Sequence, residues 1–306
     1  MRQASGSVED HLKGPDRVTQ ISIAVLGCGV IGASWVTAFR DAGLAVRLWD
    51  PNTAVAHAVA ASHGDGVTVC DSPDSAVNGV KFVQESGPEK LSLKRELARR
   101  ISASLAPAAI VASSTSTLKA SDMQQGMAFA DRLLVGHPFN PPHILPLVEV
   151  VGGAGTAEWA VEAAMQFYRS IGKAPIRLHI ERPGHLANRL QAALWREAVD
   201  AVASGQASVA DVDAAVTLAL GPRWALTGPF ATFALGGGEG GLAHFLDHLG
   251  RPFEELWDDA RRPEMTDELR DRLVAASGKT PARFTLSERD RRLRQLLAIA
   301  DPDEVS

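Results

Sequence analysis

A histidine and a glutamate stand on either side of a proline-rich turn in GHPFNPPHILPLVEV, residues 136–150. His137 ends an apolar run that is typical of a strand. By two-residue alternation, Glu149 falls on the same face of the next strand as Leu147 and Val151. A carboxylate on an apolar face costs free energy unless a partner meets it there. The two side chains could therefore serve proton transfer, although a histidine capping a turn and a glutamate at an exposed strand edge would also fit these residues alone.

A second chemical pattern is the glycine-rich stretch GCGVIG, residues 27–32, which follows the β-branched run 21–27 and precedes a helix predicted over 31–42. This context is typical of a dinucleotide-binding turn, whose helix N-terminus faces the phosphates. Asp50 ends the next strand, where it can accept hydrogen bonds from ribose hydroxyls and would repel a 2′-phosphate, which favours NAD over NADP. A purely structural turn is the alternative. The predicted cofactor contacts here are Gly27, Gly29, Val30, Ile31, Gly32 and Asp50.

The elements that must position these groups alternate between strands and helices as far as residue 180. The alternation predicts a doubly wound, mainly parallel sheet of the Rossmann type within an α/β fold. In the helix predicted over 91–105, Leu93, Leu97, Ile101 and Leu105 form one apolar stripe. The strand-like runs are 21–27, 45–50, 67–70, 80–86, 109–114, 132–137, 146–152 and 174–180.

The character of the chain changes after Pro183, where alanine and leucine recur at helical spacing and strand-like runs disappear. Ser208 and Asp211 have the spacing of a capping box, with Gly221 as the predicted end of that helix. Ser287 and Asp290 repeat the pattern. We therefore predict a flexible tail over 1–19, a Rossmann domain over 20–182 and an all-helical domain over 183–306.

Composition excludes several classes of protein. The 306 residues are 45% hydrophobic and 22% charged with a net charge of −5, which gives no electrostatic reason to expect a nucleic acid or an anionic membrane as partner. No apolar run is long enough to span a membrane, and no secretory signal is visible. The two cysteines form no metal or disulfide pattern. We expect a cytoplasmic protein without a metal site.

Further stretches join the glycine-rich turn in a fixed order, and together they resemble the L-3-hydroxyacyl-CoA dehydrogenase family. The resemblance runs from about Ile21 to Leu190. It then extends to about residue 275 with a branch of the family that works on free hydroxy acids such as carnitine and gulonate. The stretches are ESGPEKLSLK (85–94), SSTSTL (113–118), GHPFNPPHILPLVEVV (136–151), PGHLANRL (183–190) and GPRWALTGPFATFALGGGEGG (221–241).

The resemblance implies a role for four side chains. His137 would be the general base for alcohol oxidation and Glu149 would hold its ring, since a base near pH 7 must take the hydroxyl proton while a hydride leaves. Ser116 would hydrogen-bond the reacting oxygen, unless it is only the N-cap of a helix beginning near Leu118. Asn188 would reach the substrate carbonyl or the nicotinamide, and a surface amide is its alternative.

Several charged, histidine and tryptophan residues have more than one possible role. The resemblance places Glu89 and Lys94 at the nicotinamide ribose, although a solvated charge pair is nearly as good a reading. His244 and His248 lie four apart without a third ligand, which predicts a helix surface. Trp195 and Trp224 are expected in a core.

The substrate is predicted from two features. The stretch between Asp50 and Phe82 is shorter than in acyl-CoA members of the family, which weakens a CoA substrate, but it is also shorter than in the free-acid members. Arg223 could bind a substrate carboxylate in two-point contact or merely cap the helix ending at Gly221. Phe230 and Phe233 could face a quaternary ammonium, as carnitine would need, or belong to a core.

We therefore expect an NAD-dependent L-3-hydroxy-acid dehydrogenase that oxidises a secondary C3 alcohol of a free acid to a ketone. A 3-hydroxyacyl thioester dehydrogenase, acting on CoA or an acyl carrier protein, is the first alternative. A non-catalytic NAD-binding or structural protein is the second. Because the relatives implied by the resemblance are dimers, we also expect a homodimer formed through the helical domain.

Overall fold

An eight-stranded sheet forms the centre of the first part of the chain, as seen in a computed structural model that describes residues 22–278 and 284–300. The tail predicted over 1–19 lies outside these residues. The strands are β1 (Ser22–Leu26), β2 (Ala45–Trp49), β3 (Val67–Val69), β4 (Phe82–Glu85), β5 (Ile110–Ser113), β6 (Leu133–Pro138), β7 (Leu147–Gly152) and β8 (Ala174–Arg177).

The strand order is β3-β2-β1-β4-β5-β6-β7-β8, and each neighbouring pair is parallel except β6 and β7. The predicted Rossmann-type, mainly parallel sheet is confirmed. The order reverses between β1 and β4, and in such sheets ligands bind beside that point at the carboxyl ends of the strands. The helices that cover this sheet are α1 (Val30–Asp41), α2 (Thr53–Ala61), α3 (Pro73–Val77), α4 (Leu91–Ile101), α5 (Ala120–Gln124) and α6 (Glu158–Ser170).

Side-chain alternation along the buried strands creates two apolar cores, one on each face of the sheet. In β1, Ile23 and Val25 join a cluster with the aromatic rings of α1 and α6, whereas Ala24 and Leu26 join a second cluster with α3, α4 and α5. Because both faces are covered, β1 is apolar throughout rather than alternating with polar residues. This double cover holds the strand ends in fixed positions.

The helix α4 corrects one sequence prediction. Leu93 is 42% exposed, while Lys94 is 4% exposed and shares the buried face with Ala98 and Ile101. Of the predicted stripe, Ile101 and Leu105 are buried and Leu97 packs against the core. The prediction is wrong only at Leu93, because Lys94 takes the buried position to meet a carboxylate of β4. Hydrophobic spacing alone could not reveal that partner.

Contacts divide the chain into two compact units, Met1–His185 and Leu186–Ser306. The second unit contains only helices among its described residues, in agreement with the helical composition after Pro183. Its α-helices are α7 (Ala187–Ala203), α8 (Val209–Ala215), α9 (Gly221–Leu226), α10 (Pro229–Gly236), α11 (Gly241–Asp259), α12 (Asp267–Gly278) and α13 (Leu286–Ala300).

Capping in the second unit agrees with the sequence prediction at one helix end and differs at two. The capping box of Ser208 and Asp211 at α8 is confirmed. Gly221 does not end that helix: a π-helical segment, Val216–Leu220, follows α8, and Gly221 opens α9. At α13 the cap is Thr285, whose hydroxyl accepts from the backbone N–H of Glu288, rather than Ser287.

Aromatic side chains of the second unit are less buried than predicted. Trp195 is 60% exposed and Trp224 is 37% exposed, so the prediction that both belong to a core is wrong for the single chain. Phe233 does pack in an aromatic cluster with Phe245 and Phe253.

Within residues 22–278 and 284–300, no helix combines the length and the apolar character needed to cross a membrane.

Candidate active site

His137 and Glu149 face each other across the antiparallel pair β6 and β7. They are directly opposed in the strand register, and His137 Nδ1 lies 2.8 Å from Glu149 Oε2. His137 is 5% exposed and Glu149 is fully buried. Directly opposed residues of an antiparallel pair present their side chains on the same face, so the sheet itself brings the imidazole to the carboxylate.

The arrangement of this pair defines what it can do. A carboxylate only accepts, so Nδ1 carries the hydrogen and the other ring nitrogen, Nε2, keeps its lone pair. Such a ring can accept a proton at Nε2, and the adjacent carboxylate stabilises the imidazolium that forms. Because both groups are buried, removal of one would leave the other without a partner at a cost in free energy, since water cannot replace it.

A buried polar network fixes the strand that carries His137. Gln84 of β4 accepts a hydrogen bond from the Tyr168 hydroxyl at 2.7 Å and donates to the Gly136 carbonyl at 3.3 Å. A side chain at Gly136 would collide with that hydroxyl, since a Cβ there would lie 2.0 Å from it. Position 136 therefore requires glycine for β6 to approach α6. The turn after β6 is held separately, because the Lys173 ammonium donates to the carbonyls of Pro142 and Leu145.

Ser116 lies in the loop after β5, beside Glu89. One carboxylate oxygen of Glu89 accepts from the hydroxyls of Thr115 and Thr117, at 2.6 and 2.7 Å, and lies 3.5 Å from the Ser116 hydroxyl. Burial opposes the charged form of Glu89, but the hydrogen bonds from Thr115 and Thr117, with Lys94 nearby, hold its pKa below the usual value. Glu89 therefore ties the turn after β4 to the Ser116 loop.

The structure corrects the alternative reading of Ser116 as a helix cap. No helix begins at Leu118; α5 begins at Ala120, after Lys119. It is the Thr115 hydroxyl that accepts from the Leu118 N–H, at 3.0 Å. Ser116 thus sits in the loop before α5, and the hydroxyl that caps the Leu118 N–H belongs to Thr115.

Lys94 is held inside the protein by three acceptors. Its ammonium donates to both oxygens of Glu85, at 3.0 and 2.8 Å, and to the Gly87 carbonyl at 3.1 Å. Ser113 donates to the same carboxylate. A lysine has three donors, so these contacts occupy all of them. The ribose contact suggested for Lys94 stays a prediction, and the solvated charge pair weighed against it does not fit a buried lysine.

The glycine-rich turn has the geometry that a dinucleotide needs. Gly27 has φ +100°, and a Cβ there would lie 2.7 Å from the Ser86 carbonyl oxygen, so only glycine fits. At Gly29 a Cβ would project into open space, with nothing within 4 Å, beside the start of α1. No side chain among the described residues caps that helix N-terminus. Residues 27–32 therefore leave room for a pyrophosphate at a helix N-terminus, and the cofactor contacts of Val30 and Ile31 stay predictions.

Asp50 lies just beyond β2, where an adenosine ribose would sit. Its Oδ2 accepts from the Cys28 N–H at 2.7 Å and its Oδ1 from the Asn52 N–H at 2.8 Å. Each carboxylate oxygen retains a second acceptor position for a ribose hydroxyl. Burial, with Asp50 nearby, raises the pKa of the Cys28 thiol to about 12, so that the thiol stays protonated.

One histidine that the sequence left unassigned joins this group. His185 is 4% exposed, its ring centroid lies 5.2 Å from that of His137, and its Nε2 lies 3.0 Å from the Thr115 carbonyl oxygen. Sequence spacing could not reveal it, because residue 185 is far from residues 115 and 137 along the chain. Its place in PGHLANRL, a stretch that carries part of the resemblance, was the only available signal.

Three residues predicted to contact the substrate belong to the second unit. Asn188 is the second residue of α7. The Arg223 Nε donates to the Ala219 carbonyl at 3.1 Å, four residues earlier in the π-helical segment, so it does not cap a helix that ends at Gly221. Phe230 is 78% exposed. The substrate contacts of Asn188 and Arg223 stay predictions.

The histidine pair of the second unit lies on a helix surface. His244 and His248 are neighbours on α11, with ring centroids 4.1 Å apart, which confirms the predicted helix-surface pair. Within the described ranges of the chain, no three or more His, Cys, Asp or Glu side chains are grouped so as to hold a metal ion.

Comparison with sequence families gives two matches that together span most of the chain. Residues 58–181 match the 3-hydroxyacyl-CoA dehydrogenase NAD binding domain, and residues 184–279 match the 3-hydroxyacyl-CoA dehydrogenase C-terminal domain. The first match contains His137, Glu149 and Ser116, and the second contains Asn188 and Arg223.

Several curated proteins of similar sequence are named L-carnitine dehydrogenase. L-carnitine dehydrogenase from Streptomyces coelicolor is 45% identical over 92% of this chain and 95% of that enzyme. L-carnitine dehydrogenase from Pseudomonas aeruginosa is 39% identical over 90% of this chain and 91% of that enzyme.

Two solved structures extend the likeness. The 5-formyl-3-hydroxy-2-methylpyridine 4-carboxylic acid 5-dehydrogenase, described as an NAD+-dependent dismutase, superimposes with a TM-score of 0.76 at 26% identity and covers 92% of this chain and 97% of its own. The 3-hydroxyacyl-CoA dehydrogenase of Archaeoglobus fulgidus, at 23% identity, supports the fold alone, with a TM-score of 0.66 and coverage of 91% and 98%.

Proposed function

We propose that this chain, which belongs to the 3-hydroxyacyl-CoA dehydrogenase family, oxidises the C3 hydroxyl of L-carnitine or a similar free 3-hydroxy acid. The protein is an NAD-dependent dehydrogenase that acts on CH–OH groups. The observation that carries the proposal is the buried contact between His137 and Glu149 at the carboxyl end of β6, in a chain 45% identical to an L-carnitine dehydrogenase.

In the proposed reaction, His137 Nε2 takes the proton of the C3 hydroxyl. Glu149 keeps the ring in the Nδ1–H tautomer and stabilises the imidazolium as it forms. NAD, when bound, supplies the acceptor for the hydride that leaves C3. Ser116 would donate a hydrogen bond to the reacting oxygen and Asn188 would bind the developing carbonyl or the nicotinamide; both are proposals that follow from the family resemblance.

The cofactor is proposed to bind along the carboxyl edge of the sheet. Gly27, Gly29, Val30, Ile31 and Gly32 would receive the pyrophosphate, and Asp50 would receive the adenosine ribose. Glu89 would meet the nicotinamide ribose from the turn after β4. We propose that Lys94 acts mainly by holding Glu85 and Gly87 in place, because its donors already have acceptors in the protein.

Carnitine adds two demands, a carboxylate and a quaternary ammonium. Arg223 supports the first, since its Nε donates to Ala219 and a guanidinium has further donors for a carboxylate. Phe230, with a largely exposed ring, is the better candidate for the second, because Phe233 already packs against Phe245 and Phe253. These assignments favour a free acid over a thioester.

Substrate choice is tested by NADH formation from L-carnitine, L-gulonate, 3-hydroxybutyrate and 3-hydroxybutyryl-CoA. A free acid should give the highest kcat/KM. A rate confined to the thioester would overturn the free-acid proposal and leave the dehydrogenase chemistry intact. NAD binding with no turnover of any of the four would favour a non-catalytic NAD-binding protein.

We also propose that the protein is a cytoplasmic homodimer joined through its second unit. Large apolar side chains of this unit are exposed in the single chain, a pattern typical of an interface. They include Leu190, Trp195, Leu218, Leu226, Phe230, Leu246, Leu256 and Trp257. Light scattering behind a sizing column should give twice the mass of the chain.

A further inference from the structure

His185 occupies an unusual backbone position. It is the last residue of the first unit, and its φ of 49° is the only positive value at a non-glycine residue within the described chain. Left-handed backbone costs free energy in any residue with a side chain, although histidine tolerates it better than most. Such strain persists where surrounding contacts hold the residue in place, and it is concentrated at functional sites.

The first of these contacts joins His185 to the Ser116 loop. The distance between His185 Nε2 and the Thr115 carbonyl oxygen is 3.0 Å. A carbonyl only accepts, so Nε2 carries the hydrogen. Thr115 in turn donates through its hydroxyl to Glu89 at 2.6 Å. Fixing the Thr115 carbonyl therefore fixes the backbone on which Ser116 stands.

The second contact is with the proposed base. The rings of His185 and His137 lie 5.2 Å apart between centroids, tilted by 43°. The edge of Phe139 meets the His137 ring at a centroid distance of 4.9 Å, and Glu149 holds its Nδ1. The His185 ring is thus one of the groups that pack around the His137 ring. Loss of this contact would let the His137 ring tilt, and a small misplacement of a catalytic group lowers the rate strongly.

We propose that His185 is a positioning residue for alcohol oxidation: its imidazole fixes the Thr115 carbonyl, and with it the Ser116 loop, against the His137 ring. The inference rests on the proposed function, in which His137 is the base. It adds a second histidine to the site, one that touches neither substrate nor cofactor in the proposed reaction.

The charge state of His185 follows from the groups that face it. Burial lowers its pKa, the Thr115 carbonyl raises it, His137 lowers it, and Glu149 and Glu89 raise it; the net pKa lies below the ordinary value for histidine. His185 is therefore neutral at neutral pH. As the pH falls through that lowered pKa, His185 becomes a cation beside the ring that must take the alcohol proton, and like charges that close repel each other.

The pH profile of kcat/KM should therefore have a distinctive shape at low pH. Oxidation requires His137 to be unprotonated, and on this proposal it also requires a neutral His185, so two coupled protons should inactivate the enzyme. The logarithm of kcat/KM should then fall with a slope approaching 2 at low pH. A residue that only filled space would leave a slope of 1.

The test compares His185→Gln, His185→Phe and His57→Gln across the pH range with L-carnitine. The glutamine can still donate to Thr115 but does not titrate, whereas the phenylalanine fills the space without a donor. Both variants should show a slope of 1 at low pH. The plateau value of kcat/KM should fall about 10²-fold in His185→Phe and only about tenfold in His185→Gln. His57 is exposed on α2, so its substitution should retain the wild-type profile.

Two results would overturn the proposal: a wild-type acid limb with a slope of 1, or equal plateau losses in the glutamine and phenylalanine variants. If His185→Phe does not fold, the glutamine variant and the wild type still decide the slope. Thermal melting of each variant identifies that case.

A readout independent of turnover separates this inference from the proposed function. Imidazole NMR of the protein without NAD should show His185 as the Nε2–H tautomer, titrating below His57, with its midpoint raised by His137→Gln. The opposite tautomer, or a midpoint unmoved by His137→Gln, would overturn the inference even in an active dehydrogenase. Absence of NADH from every hydroxy acid would instead overturn the proposed function.

Discussion

The two units of this chain differ in where their apolar side chains lie. The first unit buries both faces of its sheet, whereas Val199 and Leu269 are the only buried hydrophobic residues of the second unit among those described. The first unit can therefore hold polar groups in fixed positions within a packed interior. The second unit presents large apolar side chains that a single chain leaves exposed, which is the basis of the dimer proposal.

The difference predicts different consequences for substitution. In the first unit, a change to one member of a buried polar pair leaves the other without its partner, which costs activity or stability. In the second unit, a change to an exposed side chain should act through association or through the substrate. Four substitutions, two in each unit, test this contrast.

The largest effect is expected at Glu149. Its replacement by Gln keeps the shape of the side chain but removes the charge that stabilises the imidazolium of His137, so kcat should fall by about 10²- to 10⁴-fold. Steady-state kinetics with L-carnitine measures the loss. Glu162→Gln, an exposed carboxylate of α6, is the matched control and should behave as wild type. Equal activity in Glu149→Gln and the control would remove Glu149 from the mechanism.

The ion pair of Lys94 and Glu85 should act on stability. Lys94→Met leaves a buried carboxylate without its ammonium and should lower the free energy of unfolding by about 3 kcal/mol. Urea denaturation measures this value, with the exposed neighbour Lys90→Met as control. A stable Lys94→Met protein with weakened NAD binding would show instead that Lys94 touches the cofactor.

In the second unit, the exposed face of α11 should contribute to the dimer. Leu256→Glu would place a charge in the proposed interface and should weaken dimerisation by about 30-fold or more, as for a residue worth about 2 kcal/mol. Sedimentation equilibrium measures the dissociation constant. The exposed acidic neighbour Glu254→Gln should leave it unchanged. An unaltered dimer in Leu256→Glu would exclude this face of α11 from the interface.

Arg223 should give the smallest effect of the four. Arg223→Met removes the proposed carboxylate contact and should raise KM for L-carnitine about tenfold or more, with kcat less affected. Initial rates at varied substrate concentration measure both. The same rise in KM for 3-hydroxybutyryl-CoA, which has no free carboxylate on its acyl group, would argue against the contact.

The sequence predicted what depends on local order and failed where distant residues meet. The run of strands and the turn at Gly27 follow from short-range patterns, because alternation and helix periodicity are local properties. The pairing of His137 with Glu149 was instead implied by the family resemblance, since the residues alone left an alternative open. The buried place of Lys94 depends on Glu85, a partner on a different element. His185 was missed for the same reason, since its neighbours come from two other parts of the chain.

The second unit was harder to predict for a different reason. Trp195 and Trp224 were expected in a core, since large apolar residues are usually buried. On the dimer proposal both would be buried between two chains, which a sequence does not distinguish from burial within one chain. The π-helical segment after α8 likewise follows no spacing rule that would have kept Gly221 from being read as a helix end.

The most direct test of the account is the turnover of His137→Gln with L-carnitine, measured together with its affinity for NAD. Glutamine can still hydrogen-bond Glu149 but cannot take the alcohol proton. The account predicts a fall in kcat of about 10²- to 10⁴-fold with NAD affinity nearly unchanged. Turnover at the wild-type rate would contradict it.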